Sequence, residues 1–326
     1  MSELVLVTGA NGFVGRAVVD RLVANAVPVR AAVRRVGAAF PVPVAIVETG
    51  EIDAATRWGA ALDGVAAVVH CAARVHRLRD RASDPLAAFR AVNREGTVNL
   101  AKQAAAAGAR RFVFISSIGV NGAETFGRPF NANDAAAPHS PYAVSKHEAE
   151  LALAGIAAAT GLGVTVLRPP LVYGPNAPGN FATLLRAVHR GWPLPFGAIH
   201  NRRSFVAIDN LVDLIALVLR HEAAPGKTFL VSDGEDLSTT ELLRRTAHAL
   251  GRSSRLIPVP APWLRAAAAL LGRSELGQRL CGSLQVDISA TREALGWQPP
   301  VAVNAALVTT AQHFLAGLGQ TGAPAG

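Results

Sequence analysis

Cysteine is scarce in this 326-residue chain, where Cys71 and Cys281 are the only two. A disulfide framework is thereby excluded, and a multi-thiolate metal centre lacks ligands. The nine histidines fall into no HExxH or similar grouping, so no metal site is expected. Lysine is nearly absent: Lys102, Lys146 and Lys227 stand alone, and arginine supplies the rest of a +9 net charge. Those arginines are scattered, and aromatics that would stack bases are few, so nucleic acid is not an expected partner. Charged residues make up only 17% against 50% hydrophobic. That balance excludes a disordered chain, which has too little apolar surface to offset chain entropy. Long apolar runs are missing too. Residues 151–167 carry no charge, yet Gly161 and Gly163 split them into a helical half and a β-branched half, so no transmembrane span is expected. The apolar start, 4–7, is too short for a signal peptide, and a cytoplasmic protein without membrane association is expected.

What is present is alternation. Short β-rich runs at 4–7, 29–33, 44–47, 67–70, 112–116 and 164–167 are separated by helix-like stretches such as 15–25, 87–107 and 141–159. Strands apolar throughout require cover on both faces, and β-α alternation implies parallel order. The expected fold class is therefore α/β, a doubly wound Rossmann-type sheet whose ligand crevice lies beyond the carboxyl ends of the strands. After Tyr173-Gly174-Pro175 the rhythm changes to Pro-, Gly- and Arg-rich loops, which indicates a smaller interleaved α+β substrate-binding domain. We expect residues 1–175, together with about 203–232, to form the first domain, and 176–202 with 233–326 the second. Residues 261–280 are expected to form an amphipathic helix with a basic face, packed on the second domain or at a subunit contact. A membrane-surface helix is the alternative there.

The first strand runs into Thr8-Gly9-Ala10-Asn11-Gly12-Phe13-Val14-Gly15 and then a helix. Glycines let a backbone turn sharply against a pyrophosphate, and the helix N-terminus supplies amide donors. Dinucleotide binding follows as the expectation for Gly9, Asn11, Gly12, Phe13, Val14 and Gly15. Arg34 and Arg35 follow the second strand, where a carboxylate would accept from the adenosine ribose of NAD(H). Guanidinium groups suit a 2′-phosphate, which favours NADP(H), with NAD(H) possible. Tyr142 and Lys146, four apart on one helix face, form a proton-transfer pair. A phenol normally titrates near pH ~10, and an ammonium beside it favours the phenolate.

With these residues in view, the chain resembles an extended short-chain dehydrogenase/reductase of the NAD-dependent epimerase/dehydratase kind. The likeness runs through the TGxxGxxG spacing, His70-Cys71-Ala72-Ala73, Asn93-Arg94-Glu95-Gly96-Thr97, Phe114-Ile115-Ser116-Ser117, Tyr142 with Lys146, and 168–175. The resemblance implies Ser117 as a catalytic serine beside Tyr142, with Ser116 as the alternative register. It makes Asn93 a helix asparagine serving a water relay to Lys146. It lays Glu51 and Ile52 along the adenine, Cys71, Ala72 and Ala73 along the cofactor, and Pro169, Leu171 and Val172 along the nicotinamide ribose. It points Arg203, Asn180 and, more loosely, Arg279 at the diphosphate or sugar of a UDP-sugar. Two departures stand out: Glu51 replaces a more usual Asp, and Asn121-Gly122 stands where the family usually has Tyr-Gly.

A 4,6-dehydratase of this family carries an Asp-Glu pair directly after the catalytic serine or threonine; here Ile118-Gly119 follow Ser117. The sequence therefore reads as a C4 oxidoreductase. It is most similar to bacterial reductases of UDP-4-keto-6-deoxy-N-acetylhexosamine that form UDP-N-acetylquinovosamine for O-antigen and other surface polysaccharides. UDP-N-acetylhexosamine 4-epimerase, of the UDP-glucose type, is the alternative. A hydroxysteroid-type dehydrogenase and a non-enzymatic NADP-sensing regulator are the readings from other classes. Homodimers are common among relatives.

Overall fold

The computed structural model describes residues 3–35, 37, 40, 42–75 and 84–321. Among the described residues ten strands follow in chain order: β1 (Leu4–Thr8), β2 (Val29–Val33), β3 (Ala45–Glu48), β4 (Val65–His70), β5 (Arg111–Ile115), β6 (Gly163–Arg168), β7 (Leu171–Tyr173), β8 (Arg203–Ala207), β9 (Thr228–Leu230) and β10 (Asp236–Leu237). Seven of them form a parallel sheet in the order β3-β2-β1-β4-β5-β6-β9. The helices are α1 (Phe13–Ala24), α2 (Gly59–Leu62), α3 (Pro85–Arg90), α4 (Thr97–Ala106), α5 (Pro141–Thr160), α6 (Asn180–His189), α7 (Ile208–Val218), α8 (Thr239–Ala249), α9 (Ala261–Leu270), α10 (Ser274–Cys281), α11 (Ser289–Leu295) and α12 (Val303–Thr321).

Strand alternation explains the layers. Val5, Val7, Ala31, Val33 and Val113 point into a core closed by Val18, Leu22, Leu211 and Ile215 of α1 and α7. Leu6, Ala32, Val68, Phe112 and Phe114 point the other way, onto Leu100, Ala104, Ala149 and Leu153 of α4 and α5. The chain leaves β1 for β2 and β3 on one side and resumes with β4 on the other. Between the carboxyl ends of β1 and β4 the crossovers therefore part and leave a crevice.

A second sheet, β10-β8-β7, joins α6, α8 and α12 around Tyr173, Phe181, Leu185, Phe205, Leu243 and Leu307. Within residues 203–232, α7 packs on α1 and β9 extends the large sheet beside β6, but β8 pairs with β7 and β10 in the small one.

Three elements differ from their sequence outlines. The stretch at 87–107 is interrupted by a π-helical turn, Ala91–Gly96, between α3 and α4. Residues 261–280 form two helices, parted at Gly272, whose φ is +66°. The last expected strand residue of 112–116, Ser116, lies beyond β5. The uncharged run at 151–167 divides as expected: α5 stops at Thr160, Gly161 takes φ +76°, and β6 follows. Among the described residues no helix is long and apolar enough to cross a membrane.

Candidate active site

Beyond β1 the three loop glycines do different work. Gly9 has φ +62°, and a Cβ there would lie 2.8 Å from the backbone N and Cα of Ala72, so the loop closes against the segment after β4. A Cβ on Gly15 would sit 2.2 Å from the Gly9 carbonyl oxygen. The Gly12 N–H donates to that same oxygen at 2.8 Å and starts α1 without a side-chain cap. Asn11 and Gly12 are exposed and Phe13 and Val14 half-buried, which leaves the first-turn amides of α1 facing the crevice mouth.

Thr8, His70 and Thr97 lock the floor. The Ala72 N–H donates to Thr8 Oγ1 at 3.3 Å. Because Thr97 gives its own hydroxyl proton to the Asn93 carbonyl, its Oγ1 must take His70 Nε2–H, and in a neutral ring the Thr8 hydroxyl proton then goes to Nδ1, 2.7 Å away. Nδ1 is then the acceptor, and Nε2–H donates to Thr97 Oγ1 at 3.0 Å; Thr97 in turn donates to the Asn93 carbonyl at 2.7 Å. This chain of bonds needs a neutral ring, and burial holds the His70 pKa down at about 3, with the Lys146 charge pushing the same way. Cys71 is half-buried, and burial pushes its thiol up to about 12, so it lines the crevice as a neutral group.

At the end of β5 the two serines part company. Ser116 is buried, and its Oγ donates to Glu150. Ser117 is half-buried with extended backbone, and its Oγ accepts the Gly119 N–H at 3.1 Å. A Cβ on Gly119 would meet Ser117 Oγ at 3.3 Å and Ala143 Cβ at 3.4 Å. The missing side chain thus brings the serine against the first turn of α5, where Tyr142 sits. Ser140 caps that helix by accepting from the Ala143 N–H at 3.3 Å, and Pro141 occupies its first turn.

Lys146 is 1% exposed; its Nζ donates to the Ile115 carbonyl at 2.8 Å and lies 4.4 Å from the Phe114 ring centroid. Burial lowers its pKa to about 8. The Tyr142 ring is half-buried, edge-on to Phe89 at 6.0 Å, and burial pushes its phenol up to about 12. The direction is opposite to the sequence expectation of a lowered phenol, because Lys146 directs its charge at the end of β5 and desolvation of the ring is left to dominate.

Asn93 is fully buried in the π-helical turn. Its Oδ1 accepts from the Arg74 N–H at 2.8 Å, and its Nδ2 donates to the Arg74 carbonyl at 3.1 Å and to Ser145 Oγ at 3.0 Å. It ties the segment after β4 to α5, and the extra residue of a π turn is what carries its side chain into that gap.

Around the rim, Arg34 forms an exposed ion pair with Glu51, 3.2 Å apart, while Arg35 is exposed beside it. Ile52 packs against Gly96, where a Cβ would lie 2.6 Å from Ile52 Cγ2. The Pro169 carbonyl accepts from the Ile118 N–H at 3.0 Å, and Leu171 and Val172 start the second sheet. Arg203, the first residue of β8, donates to the Gly282 carbonyl at 3.0 Å. Burial lowers its pKa, Glu124 opposes that, and Arg279 is close enough to add to the lowering. Arg279 itself is half exposed and lies 3.5 Å from Glu275. Asn180 begins α6; its side chain is outside the described residues. No group of three or more His, Cys, Asp or Glu that could hold a metal occurs among the described residues.

The sequence reading missed a buried relay behind the serines. Arg168 Nε and Nη2 donate to Glu150 Oε1 and Oε2 at 3.0 and 2.5 Å, and Arg168 Nη1 donates to Asn121 Oδ1 at 3.0 Å. Asn121 donates onward to the Asn131 carbonyl, also at 3.0 Å. Glu150 was open to detection: it lies four residues past Lys146, and so on the same inward face of α5.

A doubly wound sheet with a glycine loop after β1 and a Tyr142–Lys146 helix beyond β5 is the architecture of a dinucleotide-dependent enzyme. Residues 5–232 match the NAD dependent epimerase/dehydratase family, and the chain belongs to it. It is 45% identical over 318 residues to a UDP-glucose 4-epimerase of Vibrio cholerae, covering 97% of this chain and 96% of that one. Two solved structures share the fold. One is a UDP-glucose 4-epimerase from Thermotoga maritima with UDP-glucose (TM-score 0.77, 23% identity, 97% and 99% coverage). The other is a short-chain dehydrogenase/reductase superfamily protein from Agrobacterium tumefaciens with bound NAD (TM-score 0.78, 23% identity, 98% and 99% coverage).

Proposed function

We propose that this chain is an NAD-dependent 4-epimerase of UDP-hexoses, accepting UDP-glucose or its N-acetylated counterpart. The observation that carries this reading is the end-to-end 45% identity to a UDP-glucose 4-epimerase. It is supported by a site that offers a serine, a tyrosine and a lysine but, with Ile118 and Gly119 after Ser117, no acid–base pair for eliminating water.

In this reading the first-turn amides of α1, with Gly9, Gly12 and Gly15 giving room, would hold the NAD pyrophosphate, and Ile52 would line the adenosine. Bound NAD supplies a hydride acceptor at the sugar C4 and a positive charge in the crevice. Ser117 Oγ holds the C4 oxygen. Tyr142 takes the hydroxyl proton and later returns it, so no net proton is consumed in the interconversion. Lys146, fixed by Ile115, has two remaining N–H groups for the nicotinamide ribose. Arg203 pairs with the substrate diphosphate, with Arg279 adding positive potential at that end. Arg34 faces the adenosine ribose already paired with Glu51, an arrangement suited to a cofactor without a 2′-phosphate.

The C4 reductase is the second reading, favoured by Arg35, an exposed guanidinium beside the Arg34–Glu51 pair that would suit the 2′-phosphate of NADPH. Purified protein incubated with UDP-glucose or UDP-N-acetylglucosamine, without added cofactor, is expected to yield the galacto epimer by NMR. Cofactor oxidation with a 4-keto-6-deoxy UDP-sugar plus NAD(P)H, and no epimer in the first arm, would replace the epimerase by the reductase.

A further inference from the structure

Helix α9 has no buried residue. Trp263, Leu270 and Leu271 are 72, 89 and 73% exposed. The exposure has a geometric cause. α9 lies on α10 through its Arg265–Ala268 side, where a Cβ on Gly277 would meet Ala268 Cβ at 2.9 Å and Arg265 Cα at 3.4 Å. Trp263, Ala266, Ala267 and Leu270 recur at helical spacing on the opposite side, so the apolar stripe of α9 points away from the rest of the chain. Glu124 fixes the hairpin to the body, accepting from Arg265 at 2.8 Å and from Gln278 at 3.3 Å. Rigid, outward-facing tryptophan and leucine on a pinned helix are not a fraying end.

The hairpin and the segment leading into it carry a net positive charge. Residues 252–281 hold Arg252, Arg255, Arg265, Arg273 and Arg279 against the single carboxylate of Glu275. Arg252, Arg255 and Arg273 pair with no carboxylate among the described residues. In a twofold contact each patch meets its own copy, so five arginines and one carboxylate on each side would bring net positive charge against net positive charge. An anionic bilayer instead offers an apolar layer for Trp263, Leu270 and Leu271 and phosphates for the guanidiniums, and the chain's +9 charge adds long-range attraction.

We propose that the α9–α10 hairpin is a docking surface for an anionic lipid bilayer, with Trp263, Leu270 and Leu271 entering the interface and Arg273 among the headgroups. The surface needs no particular reaction at the crevice, so it stands or falls independently of the epimerase reading. Through Glu124 and Gly282 the hairpin adjoins Arg203, so docking would hold that wall of the second domain next to the membrane.

The test is flotation of the whole chain with vesicles of phosphatidylcholine alone or mixed with phosphatidylglycerol. Flotation is expected only with the anionic vesicles and should weaken as added salt shortens the screening length below ~10 Å. Replacing Trp263, Leu270 and Leu271 together by Ser is expected to cut partitioning by about 10-fold or more. Arg273→Glu alone should cut it by about 10-fold. Circular dichroism and light scattering on the same samples establish that the variants are folded and report their oligomeric state. Absence of flotation, or flotation unchanged in both variants, overturns the proposal. So does conversion of a dimer to a monomer in the triple variant, which would assign the stripe to a second copy of the chain.

Discussion

Glu150→Gln tests how the crevice wall is built. Glu150 and Arg168 are each 8% exposed, joined by two hydrogen bonds, with Ser116 and Asn121 completing the relay. Replacing the carboxylate by an amide leaves the guanidinium buried without its counter-charge, which costs about 3–5 kcal/mol in comparable sites. At the per-residue unfolding entropy typical of globular chains, that corresponds to a fall in Tm of about 4–7 °C. The double substitution Glu150→Met with Arg168→Met removes both desolvation penalties and is expected to recover most of the loss. Asn121 and Ser116 then lose partners, at about 1 kcal/mol each. Differential scanning calorimetry of the wild type, the single variant and the double variant gives the comparison. A single variant melting within about 1 °C of wild type would refute the reasoning, and so would a double variant less stable than the single.

Three further outcomes are expected. Gly15→Ala places a methyl group 2.2 Å from the Gly9 oxygen, so the loop must shift, and NAD affinity by calorimetry should fall by more than about 10-fold; retained affinity would remove the loop from the cofactor site. Tyr142→Phe is expected to lower kcat by about 100-fold or more while NAD still binds, measured by epimer formation and cofactor titration. Stability should fall as pH drops from about 6.5 towards 3, because His70 stays neutral in the fold down to about 3 while the unfolded chain takes up the proton first. The slope is about 1.4 kcal/mol per pH unit, and urea titrations of His70→Gln should lack that component.

The large sheet was legible because its strands are buried on both faces: Val5, Leu6 and Val7 are all apolar, and so are Phe112, Val113 and Phe114. The site's backbone was legible where one residue type is required, as at Gly9, Gly12 and Gly15. The π-helical turn was not, since Ala91–Gly96 keeps helical composition and its extra residue is set by Asn93 reaching Arg74 and Ser145 across the fold. Nor could local pattern place β8, which joins β7 and β10 through contacts distant in sequence. Periodicity identified an amphipathic stretch at 261–280 and left open which face would be covered. Gly272 and Gly277 decided it by folding the stretch back on itself.

The tyrosine shows most directly where spacing misleads. Four residues on one helix face bring Lys146 near Tyr142, and from that an acidified phenol follows only if the ammonium outweighs desolvation. Here Lys146 Nζ is committed to the Ile115 carbonyl and the Phe114 face, and the phenol stands at about 12. Lys146 at about 8, Cys71 at about 12 and His70 at about 3 are likewise moved by burial towards their neutral forms. The crevice thus opposes charge of either sign, and the downward pull on the phenol has to arrive with a cation entering it. The chain makes this measurable, since Tyr142 and Tyr173 are its only tyrosines. Tyr173 is raised further still by burial and by its bond to Asp233. Ligand-free protein should therefore show no tyrosinate absorbance at pH ~10, the ordinary midpoint, and Lys146→Met should leave that unchanged. Added NAD should bring one tyrosinate into view at lower pH. Tyrosinate in the free protein below pH ~10, abolished by Lys146→Met, would restore the lysine as the acidifying group.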